Sequence, residues 1–168
     1  MSKKNTKKLP ERRSPLMTVC KAVTLLLSLW FSGAMTALSG AGLIYNGKSY
    51  GAEMKNTGFL LIISAALMVF GAFLCLFRKK MPNILAIILA LGGLVLCLVM
   101  LKQLTDHADS SGWTDKYTLL PVSDMYMRRI LPSIAPCALS AAIAAVQLCS
   151  LHHTSKKARD NAPAPPIV

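Results

Sequence analysis

Charge is scarce in this sequence, and its distribution is more telling than its amount. Only 15% of the 168 residues are Asp, Glu, Lys or Arg, against roughly 25% in ordinary soluble domains. Residues 22–45, 58–77, 83–101 and 130–151 contain no Asp, Glu, Lys, Arg or His. That excludes a soluble globular domain as the natural reading. It also removes the groups that intramembrane ion paths, proton relays and voltage sensors use. A metal-dependent membrane enzyme or an intramembrane protease needs carboxylates, histidines or a supported nucleophile in the span, and none is present.

Other absences narrow the field further. The five cysteines, Cys20, Cys75, Cys97, Cys137 and Cys149, include no C-x-x-C pair, so redox and zinc motifs are missing. Each reads as a small apolar residue, although Cys97 and Cys137 fall at similar predicted depth. The phosphate-binding G-x-x-x-x-G-K-[ST], the nucleophile motif G-x-S-x-G and the zinc motif H-E-x-x-H do not occur, so no nucleotide, hydrolase or zincin site is signalled. No cofactor is expected.

What remains is hydrophobic, 54% of the chain, in runs of 24, 20, 19 and 22 residues. A helix rises about 1.5 Å per residue, so each run can cross a hydrocarbon core roughly 30 Å thick. The continuity of the runs argues against the alternating pattern of barrel strands. The expectation is an all-α integral membrane protein, a small bundle of four transmembrane helices. An N-terminal arm (1–16) and a tail (152–168) flank the transmembrane domain (17–151), and both are expected to lack structure. The basic start of span one and its Ser32-Gly33-Ala34 imitate a cleavable signal. Apolar character continues to Tyr45, which favours a retained span.

Thirteen of the nineteen basic residues fall on one side of the four-span arrangement: Lys3, Lys4, Lys7, Lys8, Arg12, Arg13, Lys21, Arg78, Lys79, Lys80, Lys156, Lys157 and Arg159. The positive-inside rule then places both termini in the cytoplasm. The basic arm is expected to touch anionic lipid rather than nucleic acid, because it lacks aromatic or motif support for the latter. Short loops and the absence of a glycosylation sequon suggest a bacterial cytoplasmic membrane.

Small side chains form the clearest pattern inside the spans. Every fourth residue of span one from 24 reads Thr24, Ser28, Ser32, Thr36, Gly40, and of span four from 133, Ser133, Cys137, Ala141, Ala145, Cys149. Such residues let helix backbones approach, and hydroxyls can bond across the contact. The sequence predicts that spans one and four pack along these stripes, with a homodimer through either as the alternative. Spans two and three, richer in Leu, Ile, Phe and Met, are expected to face lipid.

Residues 102–129 read as a sizeable outer loop. Trp113, Tyr117 and Tyr126 are expected in an interfacial aromatic belt. Asp106, His107, Asp109 and Asp115 form its titratable cluster, but a flexible loop without a fourth well-spaced ligand is a poor metal site. His152 and His153 are expected to end span four. Arg128 and Arg129 precede it; they can snorkel to lipid head groups or hold an anion beside Tyr126. Pro136 predicts a kink.

Three functional expectations follow. The first is a non-enzymatic accessory, assembly or interaction subunit acting through helix packing, with lipid, its own copies or another membrane protein as partners. The second is a transporter or channel component whose polar path is lined by span one. The third is a membrane-surface enzyme using the 102–129 loop.

Overall fold

The computed structural model of the protein describes residues 15–114 and 119–160. The basic arm to residue 14, Asp115, Tyr117 and the tail from 161 lie outside the described residues. Span one comprises α1 (Pro15–Leu27), a π-helix (Ser28–Met35) and α2 (Thr36–Tyr45). A short α3 (Gly47–Tyr50) leads to α4 (Ala52–Leu74), and α5 (Lys80–Ser110) follows. Span four is α6 (Val122–Ile130), a 3-10 turn (Leu131–Ser133) and α7 (Ile134–Asp160). Four helical stretches, Pro15–Tyr45, Ala52–Leu74, Lys80–Ser110 and Val122–His153, are long and apolar enough to cross a membrane.

Local sequence explains the boundaries. Gly51 stands at φ +93 before α4, a conformation that favours glycine. The turn after α4 is tightened by Leu76 N–H to Phe73 O at 3.1 Å and Phe77 N–H to Leu74 O at 3.1 Å. Pro82 sits in the first turn of α5, where its missing N–H costs nothing. The other end of α5 closes with Gly112 at φ +63. Gly112 N–H bonds Asp109 O at 3.2 Å and Trp113 N–H bonds Ala108 O at 2.9 Å, the pairing of a Schellman cap.

That cap corrects the expected outer loop. Helix α5 runs to Ser110, not to about 101, so Asp106, His107 and Asp109 stand on its last turns. Residues 122–129, which the sequence places in the same loop, belong to α6. At this end Trp113 stacks on Tyr50 with ring centroids 4.3 Å apart, and His107 meets Trp113 edge-on at 5.1 Å. Tyr126 is buried rather than part of an exposed belt. Nor do His152 and His153 end span four, since α7 continues through them to Asp160. The disturbance expected at Pro136 appears just before it, as the 3-10 turn over Leu131–Ser133. Proline cannot donate to the carbonyl four residues back, so Pro132 and Pro136 between them strip the ladder on both sides of that turn.

The spans pack as an antiparallel bundle in which span two is the most enclosed and span one the least. This corrects the expectation that spans two and three mainly face lipid. Met54, Thr57, Gly58, Leu61, Ser64, Ala65, Met68, Gly71 and Ala72 are all buried on α4, as is Cys75 at its C-cap. They follow an alternating three- and four-residue spacing, which keeps one face in register along a helix pair. On α5 the matching face is Asn83, Ala86, Ala90, Gly93 and Cys97. Glycine sets the separation. A Cβ at Gly58 would lie 2.6 Å from Gly40 O, one at Gly71 would lie 2.7 Å from Ala90 N, and one at Gly93 would lie 2.9 Å from Leu67 Cβ. Backbones approach there as only small residues allow.

A matched set of substitutions tests these contacts. Gly58→Ala or Gly71→Ala forces backbone apart and should cost about 1–3 kcal/mol as overpacking. Gly42→Ala and Gly92→Ala meet nothing within 4 Å and should be neutral or gain up to about 1 kcal/mol from helix propensity. Thermal unfolding of purified protein in mild detergent reads both. Equal losses in the two groups would refute the close-contact account.

Candidate functional site: the buried polar interior

The only charged side chain of span one that reaches the packed interior is Lys21 among the described residues. Its Nζ donates to Gln147 Oε1 at 2.9 Å and to Leu76 O at 3.3 Å, and Gln147 Nε2 donates to Cys75 O at 2.9 Å. The last carbonyls of a helix have no partner within the helix. Here two side chains from spans one and four supply donors to the end of span two, and a cation suits the negative end of that helix.

Further into the bundle the interior is lined by hydroxyls and thiols. All five span-one stripe residues, Thr24, Ser28, Ser32, Thr36 and Gly40, are buried. Helix geometry explains how they stay on one face. A four-residue step overshoots an α-helical turn by about 40°, which would swing the stripe away within three or four steps. In the Ser28–Met35 π-helix the i→i+5 bonding winds more than four residues into a turn. The steps from 28 to 36 therefore fall short, and they cancel the overshoot on either side.

Span four has no such correction in α7, and its stripe departs from the expected face. Ser133 and Cys137 are buried, Ala141 is half-buried, and Ala145 and Cys149 are exposed. The buried line instead runs Ser133, Cys137, Ser140, Ala144, Gln147, the alternating spacing that an ordinary α-helix keeps in phase. Sequence reasoning missed Ser140, Ala144 and Gln147 as one face because it followed a fixed step of four. Among the described residues, hydrogen bonds that tie span one to span four include Lys21 to Gln147 and Ser32 Oγ to Ser133 O at 3.5 Å, and Met17 packs against the Ile143–Ala144 cluster.

Near the middle of the bundle, four spans meet around two free thiols. Cys97 is surrounded by the hydroxyls of Ser64, Ser133 and Thr36, and Cys137 by that of Ser32. Both cysteines are fully buried, and Cys137 Sγ reaches Ala90 O at 3.8 Å. Most of the interior hydroxyls bond their own helix: Thr24 to Cys20 O at 2.7 Å, Thr36 to Phe31 O at 3.2 Å, Ser64 to Leu61 O at 2.7 Å, Ser140 to Cys137 O at 2.8 Å. Such back-bonding satisfies the donor without a solute. Ser28 Oγ and Ser133 Oγ are the exceptions: both are fully buried and neither has a hydrogen-bond partner of good geometry among the described residues, although Ser133 Oγ lies beside the Cys97 thiol.

The remaining sequence candidates lie apart from this interior. Arg128 and Arg129 are exposed on α6, with Arg129 facing buried Tyr126. Asp106 and Asp109 are exposed and His107 is half-buried against Trp113. Among the described residues, no three His, Cys, Asp or Glu side chains come together as metal ligands.

Comparison with known proteins returns no matching family, no matching curated protein and no matching solved structure.

The end-of-helix network yields a double-mutant cycle. Lys21→Met or Gln147→Leu alone leaves buried groups without partners and should cost about 1–3 kcal/mol. The double variant should lose clearly less than the two single losses added. Melting temperatures in one detergent measure this, and strict additivity would show that the two side chains act independently.

Proposed function

We propose that the protein is a non-enzymatic, multi-pass membrane protein acting as an accessory or assembly subunit, with span four as its interaction surface. Its setting in this reading is a bacterial cytoplasmic membrane with both termini inside. The observation that carries the reading is the outward face of span four. Ala135, Ala138, Ala142, Ala145 and Cys149 are all exposed there, at the same alternating spacing as the buried contact faces. Leu131, Ile134, Leu139 and Val146 are exposed beside this line, and the outside of the other spans is mainly bulky: Leu26, Trp30, Phe59, Ile63, Phe70, Ile88, Val95 and Val99 are exposed. Bulky side chains suit lipid tails, whereas a continuous small face is the composition that lets another helix approach. Span four therefore carries one small face inwards and a second outwards.

The second reading, a component with a polar path along span one, draws on the unpartnered hydroxyls of Ser28 and Ser133 and on the π-helix beside them. Helices of that type are frequent at functional sites. Self-satisfied Thr24, Thr36, Ser64 and Ser140 weigh against a continuous wet path, so this reading stands second.

Two experiments separate the readings. A photo-crosslinker at position 142 should capture a discrete membrane partner or a second copy, and Ala138→Leu with Ala142→Leu should abolish capture while the melting temperature stays within a few degrees. Capture unaffected by the pair would sink the interaction reading. For the path, solute flux in reconstituted vesicles should be lost in Ser28→Leu or Ser32→Leu; absence of flux in the wild type removes it.

A further inference from the structure

The turn joining spans two and three presents an apolar groove directly beside a run of positive charge. The groove has a volume of about 410 Å³ and is lined by Leu74, Met81, Pro82, Ile84, Leu85 and Ile88. One wall is the last residue of α4, and the other is the first turns of α5. Met81 is 77% and Ile88 60% exposed, so the groove opens outward from the bundle. Arg78, Lys79 and Lys80 are exposed and fill the chain between the two walls. Bare apolar volume next to concentrated positive charge matches a molecule with a hydrocarbon chain and an anionic head.

We propose that this groove holds an acyl chain of an anionic phospholipid whose phosphate-bearing head group is held by Arg78, Lys79 and Lys80. The inference rests on the membrane reading of the four spans. The arrangement is distinct from attraction of the basic N-terminal arm to a charged surface, because it pairs a shaped apolar recess with the charge. Basic residues near a membrane surface each add to the attraction for anionic lipid. The groove adds a requirement that a diffuse charge lacks: filling it should weaken binding as removal of the charges does.

The test uses the full-length protein in mild detergent, with lipid retention counted by native mass spectrometry after mixing with phosphatidylglycerol and phosphatidylcholine. Wild type should keep one phosphatidylglycerol per chain in preference to phosphatidylcholine. Replacing Arg78, Lys79 and Lys80 together by Gln should lower retention by about tenfold or more, as expected from the loss of three such charges. Leu85→Trp, which fills the groove without touching charge, should lower it to a similar degree. Ile84→Trp on the same wall replaces it should Leu85→Trp lower the melting temperature. Gln at Lys3, Lys4, Lys7, Lys8, Arg12 and Arg13 should leave retention unchanged. Equal retention of both lipids, insensitivity to groove filling, or dependence on the arm alone would each overturn the proposal. Alkaline extraction of membranes reports the membrane reading separately: a chain released into the supernatant fails that reading, whereas one that stays in the membrane but shows no selectivity fails only the groove.

Discussion

The separation between backbones at Gly40–Gly58 and Gly71–Ala90 governs the rest of the architecture. At these points span two has no side chain to hold its neighbours off, so spans one and three lie against it on either side. Dispersion contacts and backbone-to-backbone approach replace the hydrophobic drive that lipid cannot supply between helices. Once span two is clasped in this way, the inward faces of spans one and four meet across it, and Ser64 of span two comes among their hydroxyls and the Cys97 thiol. The polar interior is a product of the glycine contacts rather than an independent feature.

That interior is tuned for closure. Hydroxyls that bond back to their own carbonyls present a methyl or methylene surface to the neighbouring helix, so a nominally polar residue behaves as a small packing unit. Ser28 and Ser133 depart from this rule, one in the π-helix and the other in the 3-10 turn. Both stand where the regular hydrogen-bond ladder is broken. Irregular backbone and unpartnered hydroxyls coincide in spans one and four.

Much of this was legible in the residues. Uninterrupted apolar runs announce four helices long and apolar enough to cross a membrane, and the brevity of residues 75–79 requires the hairpin between the second and third. The span-one stripe was visible as a period of four, and all of its members are buried. Why it works was hidden, since a π-helix depends on what packs around it and has no simple sequence signature. The glycine contacts were missed because Gly58, Gly71 and Gly93 are scattered among large residues; the signal lies in small residues at alternating spacing, not at a fixed step. The long third helix was missed because Asp106, His107 and Asp109 look like loop. The Ser111-Gly112-Trp113 segment was the available cue, with glycine in the position that closes a Schellman cap.

The donors that complete the end of span two carry a consequence for biosynthesis. Cys75 O and Leu76 O belong to the second helix, while Gln147 is made 72 residues after Cys75. A chain emerging from its N-terminus therefore passes through a stage in which three helices exist, Lys21 can already reach Leu76 O, and Cys75 O still lacks the Gln147 amide. During that interval Lys21 lacks the Gln147 amide oxygen that receives it in the finished protein. Arrival of the fourth helix relieves both deficits at once. The last helix thus supplies the final partners of both groups, and a chain truncated before it would leave Cys75 O without the Gln147 amide and Lys21 with Leu76 O alone of its two acceptors.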